Sequence, residues 1–267
     1  MTDQKSVDTD MLVHITMLGQ VGVILKIAQL TIVIDPYLSN SVAEKESPDL
    51  LRLIEIPFIP SELVDVDYIL ITHEHRDHCD IDTLAPLLRA STNAKVIANH
   101  GVLNFLRAEG IDESRLIAAA TLPLFVDADV VFHMLPSAHP VVASDGHGAY
   151  KALGFIVEVN GHYIYHCGDT AVNKEVIDAV RVFEKIDIGF IPVNEHNYYR
   201  GVKNILGNMS VREAFQFAED VNIEQFVPTH WDMFEANQVF PEEIELLYEK
   251  LSPPFSLSFN PRKIHVC

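Results

Sequence analysis

The chain has 267 residues, 48% of them hydrophobic, which is enough for a substantial core and unlike the composition of a disordered segment. Nineteen basic against thirty-eight acidic residues give a net charge of −19. That field excludes stable binding to nucleic acid or to an anionic membrane, while leaving room for a local pocket that takes one small anion. Three cysteines (Cys79, Cys167 and Cys267) without a C-x-x-C pair exclude a disulfide framework and a structural zinc knuckle.

Residues 1–10 are polar and acidic, read as a loose tail, and lack the pattern of a secretory leader. Short β-rich runs follow at His14–Leu18, Val21–Leu25 and Thr31–Ile34, the last ended by Asp35-Pro36. Residues 39–62 predict a long loop with a helical turn, and Tyr68–Ile71 a short buried strand. Helical spacing of apolar residues covers Ile81–Ala90, a strand covers Lys95–Ala98, and a second helix Gly101–Glu109. Strands then recur at Val130–Leu135, Ala152–Val159 and Tyr163–Tyr165, with Asn160-Gly161 as a hairpin turn. A helix at Asn173–Phe183, a strand at Ile186–Pro192, a helix at Val211–Glu219, a strand at Gln225–Pro228 and a helix at Pro241–Lys250 complete the chain.

This order suits two similar halves dividing near residue 127, packed as two sheets with helices outside. No linker separates them, so residues 11–267 read as one domain. No apolar run approaches the length of a membrane span, and the expected location is the cytoplasm.

The segment Thr72-His73-Glu74-His75-Arg76-Asp77-His78 carries the chemistry. A divalent cation needs deprotonated nitrogen or oxygen ligands converging on one point. His73 and His75 are two apart, so an extended backbone directs both to one side. Asp77 and His78 are adjacent at the turn into the Ile81–Ala90 helix and can face a second ion. Three later residues, each just past a predicted strand, complete a ligand set: His139, Asp169, whose carboxylate could bridge both ions, and His230. His and carboxylate ligands without Cys suit two divalent ions, Mn²⁺, Zn²⁺ or Fe²⁺.

With Leu18-Gly19, Ile34-Asp35-Pro36, Tyr165-His166-Cys167-Gly168-Asp169, Tyr198-Tyr199-Arg200, Gly207-Asn208-Met209-Ser210 and Pro228-Thr229-His230-Trp231-Asp232, these residues resemble the metallo-β-lactamase superfamily. Within it the chain is similar to the branch that contains bacterial L-ascorbate-6-phosphate lactonase. The resemblance covers nearly all of the chain after residue 11. It implies an α/β fold, a four-layer αββα sandwich with metals at one edge of the sheets. It further implies that His73, His75 and His139 hold one metal and Asp77, His78 and His230 the other. Asp169 would bridge them, and Asp35 would orient a histidine ligand.

The chemistry of such a centre is hydrolysis of an ester, lactone or phosphoester, with Asp77 holding or deprotonating the water. Tyr198, Tyr199 and Arg200 are expected at the pocket rim, where a guanidinium beside phenols suits a small anionic substrate; Asn208 is expected beside them. His166 is expected to support Asp169. The reading is a lactonase on a small phosphorylated sugar lactone, with a phosphodiesterase and a non-catalytic metal sensor as alternatives. A homo-oligomer is compatible with the sequence but not required by it.

Overall fold

The computed structural model describes residues 11–203 and 205–266; the expected tail at 1–10 lies outside the described residues. Strands β1 (Met11–Gly19), β2 (Gly22–Ile27) and β3 (Leu30–Ile34) form an antiparallel meander. It continues through α1 (Ser41–Lys45) into the parallel strands β4 (Tyr68–Leu70), β5 (Lys95–Ala98) and β6 (Leu116–Ala118), with α2 (Ile81–Ala90) and α3 (His100–Ala108) as crossovers. A second meander, β7 (Leu124–Phe125), β8 (Val130–Pro136), β9 (Leu153–Val159) and β10 (His162–His166), is likewise antiparallel. After α4 (Lys174–Val180), β11 (Ile186–Pro192), α5 (Tyr198–Val202) and α6 (Val211–Asp220), the parallel strand β12 (Ile223–Thr229) follows. Then come α7 (Pro241–Leu251), β13 (Ser256–Leu257) and β14 (Lys263–Val266).

The strands make two seven-stranded sheets, ordered β14-β1-β2-β3-β4-β5-β6 and β13-β12-β11-β10-β9-β8-β7. Period-2 alternation decides what each face buries. In β2, Val23, Leu25 and Ile27 join Val130, Phe132, Phe155 and Val157 in one cluster between the sheets. The alternate residues of the first sheet, such as Val33, Ile69 and Val96, pack outward on Leu84, Leu87, Val102 and Leu106 of α2 and α3. In the second sheet Ile156, Tyr165, Ile191 and Phe226 face Val176, Ala214, Phe215 and Ile244 of α4, α6 and α7. The result is the expected αββα sandwich.

The chain passes from one sheet to the other between β6 and β7, at residues 119–123, a few residues before the expected division at 127. The halves are not fully separate: β14 returns to pair with β1, a crossing that a four-residue strand does not announce. The Asn160-Gly161 turn forms as expected, with both residues in the left-handed region (φ 51° and 77°) that a tight hairpin requires. Among the described residues no helix is long and apolar enough to cross a membrane.

Phe155 sits wholly buried at the centre of the inter-sheet core. Phe155→Ala is predicted to lower unfolding free energy by about 3–5 kcal/mol in urea titration. Val182→Ala, at a residue that is 77% exposed, should stay within about 0.5 kcal/mol of the native protein. Equal losses at the two positions would show that the core is placed wrongly.

Candidate metal centre

Every candidate ligand follows the end of a strand, along one seam where the two sheets meet. His73–His78 leaves β4; His139, Asp169 and His230 follow β8, β10 and β12. The backbone does not stay extended through the first motif. It bends from Glu74 and turns at residues 76–78, closed by hydrogen bonds from the His78 and Cys79 amides to the His75 carbonyl (2.9 and 2.7 Å). The rings of His73 and His75 converge by this bend, centroids 4.6 Å apart, rather than by strand alternation.

The ligand atoms of His73, His75 and His139 lie within 4.8 Å of one another, as do those of Asp77, His78 and His230. A third such group, His73, His78 and Asp169, joins the two. Asp169 Oδ1 is 3.4 Å from His78 Nε2, and its Oδ2 is 3.4 Å from His230 Nε2 and 3.7 Å from His139 Nε2. The structure thus brings together all seven residues singled out in the sequence.

Several of these atoms are buried without a hydrogen-bond partner, among them His73 Nε2, His78 Nε2 and Asp169 Oδ1. Buried polar atoms are rarely left unpaired, and orphans converging on one point match the donor set of a divalent cation. The residues present therefore fit the group.

The surrounding residues hold this cluster in place. The wholly buried Asp35 accepts hydrogen bonds from the Thr72 amide (2.8 Å) and Thr72 Oγ1 (2.6 Å), and pairs with His78 Nδ1 (2.8 Å). It therefore orients a candidate histidine ligand, leaving Nε2 turned toward Asp169. His166 bonds the Val21 carbonyl through Nε2 (2.8 Å), while its Nδ1 accepts from the Gly168 amide (3.3 Å), so it braces the turn that carries Asp169. Gly168 is in the left-handed region (φ 59°), and a Cβ there would meet the Thr72 side chain at 2.8 Å. Only glycine lets the Asp169 loop approach the histidine motif so closely.

Charge explains the proton affinities. Burial alone would raise the Asp77 and Asp169 carboxyls, but His78 and His230 beside them outweigh it and hold both well below the usual range. Burial likewise opposes charge on His230, yet Asp169 and Asp77 push it up to about 9. His139 moves the other way, lowered to about 4 chiefly by burial. Cys79 and Cys167 are buried thiols whose pKa is raised mainly by desolvation; they belong to the core clusters on the two outer faces.

One residue of the site escaped sequence reasoning. Gln20, in the β1–β2 hairpin, is buried and left-handed (φ 57°), and its Nε2 lies 2.7 Å from Asp77 Oδ2 and 3.1 Å from His230 Nε2. Its backbone carbonyl accepts from the His230 amide (2.8 Å). The adjoining Leu18-Gly19 was the only local signal, and it marks the turn rather than the glutamine.

The expected rim residues are placed differently. The centre opens into a cavity of about 410 Å³ lined by His75, Asp77, Asp169 and His230 together with Val42, Glu46, Leu50, Ile205, Leu206, Phe234 and Asn237. Tyr198, Tyr199, Arg200 and Asn208 are not among its lining residues. Arg200 donates instead to the carbonyls of Glu195 (2.6 Å) and Gln238 (3.2 Å) and lines a separate small recess. Tyr198 and Tyr199 project outward from the short helix α5. Asn208 is buried against the Asn194 side chain (2.9 Å). The guanidinium expected at the rim is thus bonded to two backbone carbonyls, away from the cavity lining.

Two measurements test the centre. A ligand histidine must be unprotonated, and His230, raised to about 9, is protonated below that pH in the metal-free protein. Metal uptake at pH 7.5 is therefore predicted to release protons, with affinity rising toward pH 9, as read by calorimetry in buffers of different ionisation enthalpy; buffer-independent heats would contradict it. Gln20→Leu unties Asp77 and His230 and is predicted to weaken metal affinity about 10–100-fold in chelator competition. Unchanged affinity would reduce Gln20 to a packing role.

A family model described as the beta-lactamase superfamily domain matches residues 31–231. The chain is 30% identical over 238 residues to a UPF0173 metal-dependent hydrolase of Pyrococcus furiosus, covering 88% of this chain and 92% of that relative. It is 26% identical over 235 residues to one of Methanosarcina mazei, covering 88% and 90%. Among solved structures, the metallo hydrolase Igni18 of the archaeon Ignicoccus hospitalis superposes with TM-score 0.67 at 20% identity, over 96% of this chain and 97% of that one. An isothiocyanate hydrolase from Delia radicum gut bacteria gives TM-score 0.71 at 14% identity, over 96% and 100%, a likeness of fold. With its fold, its buried His/Asp cluster and these relatives, the chain belongs to the beta-lactamase superfamily, among the UPF0173 metal-dependent hydrolases.

Proposed function

We propose that the cluster holds two divalent ions and that the protein hydrolyses a carbonyl substrate, a lactone or an ester. His73, His75 and His139 would hold one ion, Asp77, His78 and His230 the other, with Asp169 between them. The observation that carries this reading is the reach of Asp169, whose two carboxylate oxygens approach nitrogens from both triads at 3.4–3.7 Å. Mn²⁺, Zn²⁺ and Fe²⁺ all suit this donor set.

Divalent ions bound there supply Lewis acidity and make a water ionisable near neutral pH. The chain's own groups do the rest. Asp77 lines the cavity, and its Oδ2 is held by Gln20. Its other carboxylate oxygen is left to orient the attacking water by accepting a hydrogen bond from it. Asp35 keeps His78 Nδ1 occupied, so that Nε2 alone faces the cluster. The apolar side chains around the mouth limit the bulk water that would otherwise screen the site.

The phosphate half of the expected substrate has lost its main support, since Arg200 does not line the cavity. The carbonyl half stands on the metal-centre chemistry alone.

Asp77→Asn is predicted to lower kcat on a hydrolysed lactone at least about 100-fold while the protein stays folded by circular dichroism. Wild-type turnover by a purified, metal-loaded variant would sink the assignment. Chelation should abolish turnover and re-addition of Mn²⁺ or Zn²⁺ restore it; binding of metal without turnover of any lactone, ester or phosphodiester would favour a sensor.

A further inference from the structure

The cavity over the candidate centre has a mixed lining with a clear division. Its floor is the ligand set; its walls are Val42, Leu50, Ile205, Leu206 and Phe234, drawn from three separate stretches of chain. Val42 and Phe234 belong to a buried cluster with Tyr37 and Met233, against which Leu50 packs, so this part of the wall is preformed. Among the described residues that line the cavity there is no lysine or arginine. The charged group on the wall is Glu46, and the nearby cation, Arg76, is engaged with it at 3.1 Å. Asn237 adds one neutral amide. Next to Leu50 in sequence, Leu51 is also exposed, at 65%.

Ions held in the floor would draw in the reacting carbonyl oxygen, but an anionic arm extending up the walls would meet the Glu46 carboxylate, no unpaired cation there, and a chain of net charge −19. An apolar group would bury surface against five hydrophobic side chains, at a gain of roughly tenfold in binding for every two methylenes covered. We infer that the substrate is an uncharged lactone or ester carrying an apolar arm that lies along Val42, Leu50, Leu206 and Phe234. The inference rests on the carbonyl reading proposed above and adds the charge and polarity of the substrate.

The test uses the metal-loaded full chain and four probes: γ-valerolactone, γ-decanolactone, 6-phosphogluconolactone and bis(4-nitrophenyl) phosphate. The expected result is a kcat/KM for γ-decanolactone at least about tenfold above that for γ-valerolactone, with 6-phosphogluconolactone the poorest of the three lactones. Leu206→Ala and Leu50→Ala, at partly exposed wall positions, should each narrow the ratio at least threefold. Saturation-transfer NMR on the metal-stripped protein supplies a readout free of catalysis: γ-decanolactone should bind, and Leu206→Glu should abolish that binding. Fastest turnover of 6-phosphogluconolactone would overturn the inference and leave the carbonyl reading standing. Turnover of the phosphodiester alone would overturn the carbonyl reading itself. Absence of γ-decanolactone binding by NMR would overturn the inference whatever the enzyme hydrolyses.

Discussion

The hydrogen bonds that converge on Asp35 tie the whole site to the fold. A carboxylate with no solvent exposure costs several kcal/mol unless its oxygens are paired. Here the Thr72 amide, the Thr72 hydroxyl and the His78 ring supply the partners. Asp35 is itself left-handed, at φ 43°, a conformation that strains a residue with a side chain and persists only where its surroundings enforce it. The result fixes the start and the end of the Thr72–His78 segment to the end of β3, and all of the four ligands within the segment follow from that anchoring.

From this anchor the second sheet is brought to the first. The Leu153 amide bonds the Thr72 carbonyl at 2.9 Å, and Gly168 lies so near Thr72 that no side chain would fit. The His230 amide reaches back to the Gln20 carbonyl, with His230 also left-handed at φ 61°. Three non-glycine residues with positive φ, Gln20, Asp35 and His230, thus surround one cluster. Strain concentrated at one place, with orphaned nitrogens and oxygens beside it, is the pattern of a site organised for something other than stability. The proton affinities say the same: His230 is held protonated by carboxylates that would bind a cation instead.

Above the ligands, the division of the cavity into an ionic floor and apolar walls separates two tasks. On the proposed function, reactivity would belong to residues delivered by strand ends of both sheets. On the inference drawn above, selection would belong to residues from α1, Leu50, and the stretches after α5 and β12, whose positions depend on loop packing. Loops of that kind vary in composition without disturbing the sheets that carry the chemistry.

The sequence by itself determined the layers and the candidate ligands. The short, nearly continuous apolar runs of strands such as β2 and β9, buried on both faces, and the helical spacing in α2 and α6 follow from local burial, which a short window records. His73, His75, Asp77 and His78 were legible because four donor residues within six positions leave little other use for them, and His139, Asp169 and His230 because each follows a strand. What only the tertiary structure decided was everything that depends on which loop meets which. Gln20 is an ordinary residue until the β1–β2 hairpin folds over Asp77 and His230, more than fifty positions away. Arg200 suited an anion site until its guanidinium met the carbonyls of Glu195 and Gln238. The return of β14 to β1 joins two ends of the chain through backbone hydrogen bonds, which carry no side-chain signature. Donor chemistry is a property of a residue type and survives in one dimension; the walls of a cavity are made by segments remote in sequence, and exist only once the chain has folded.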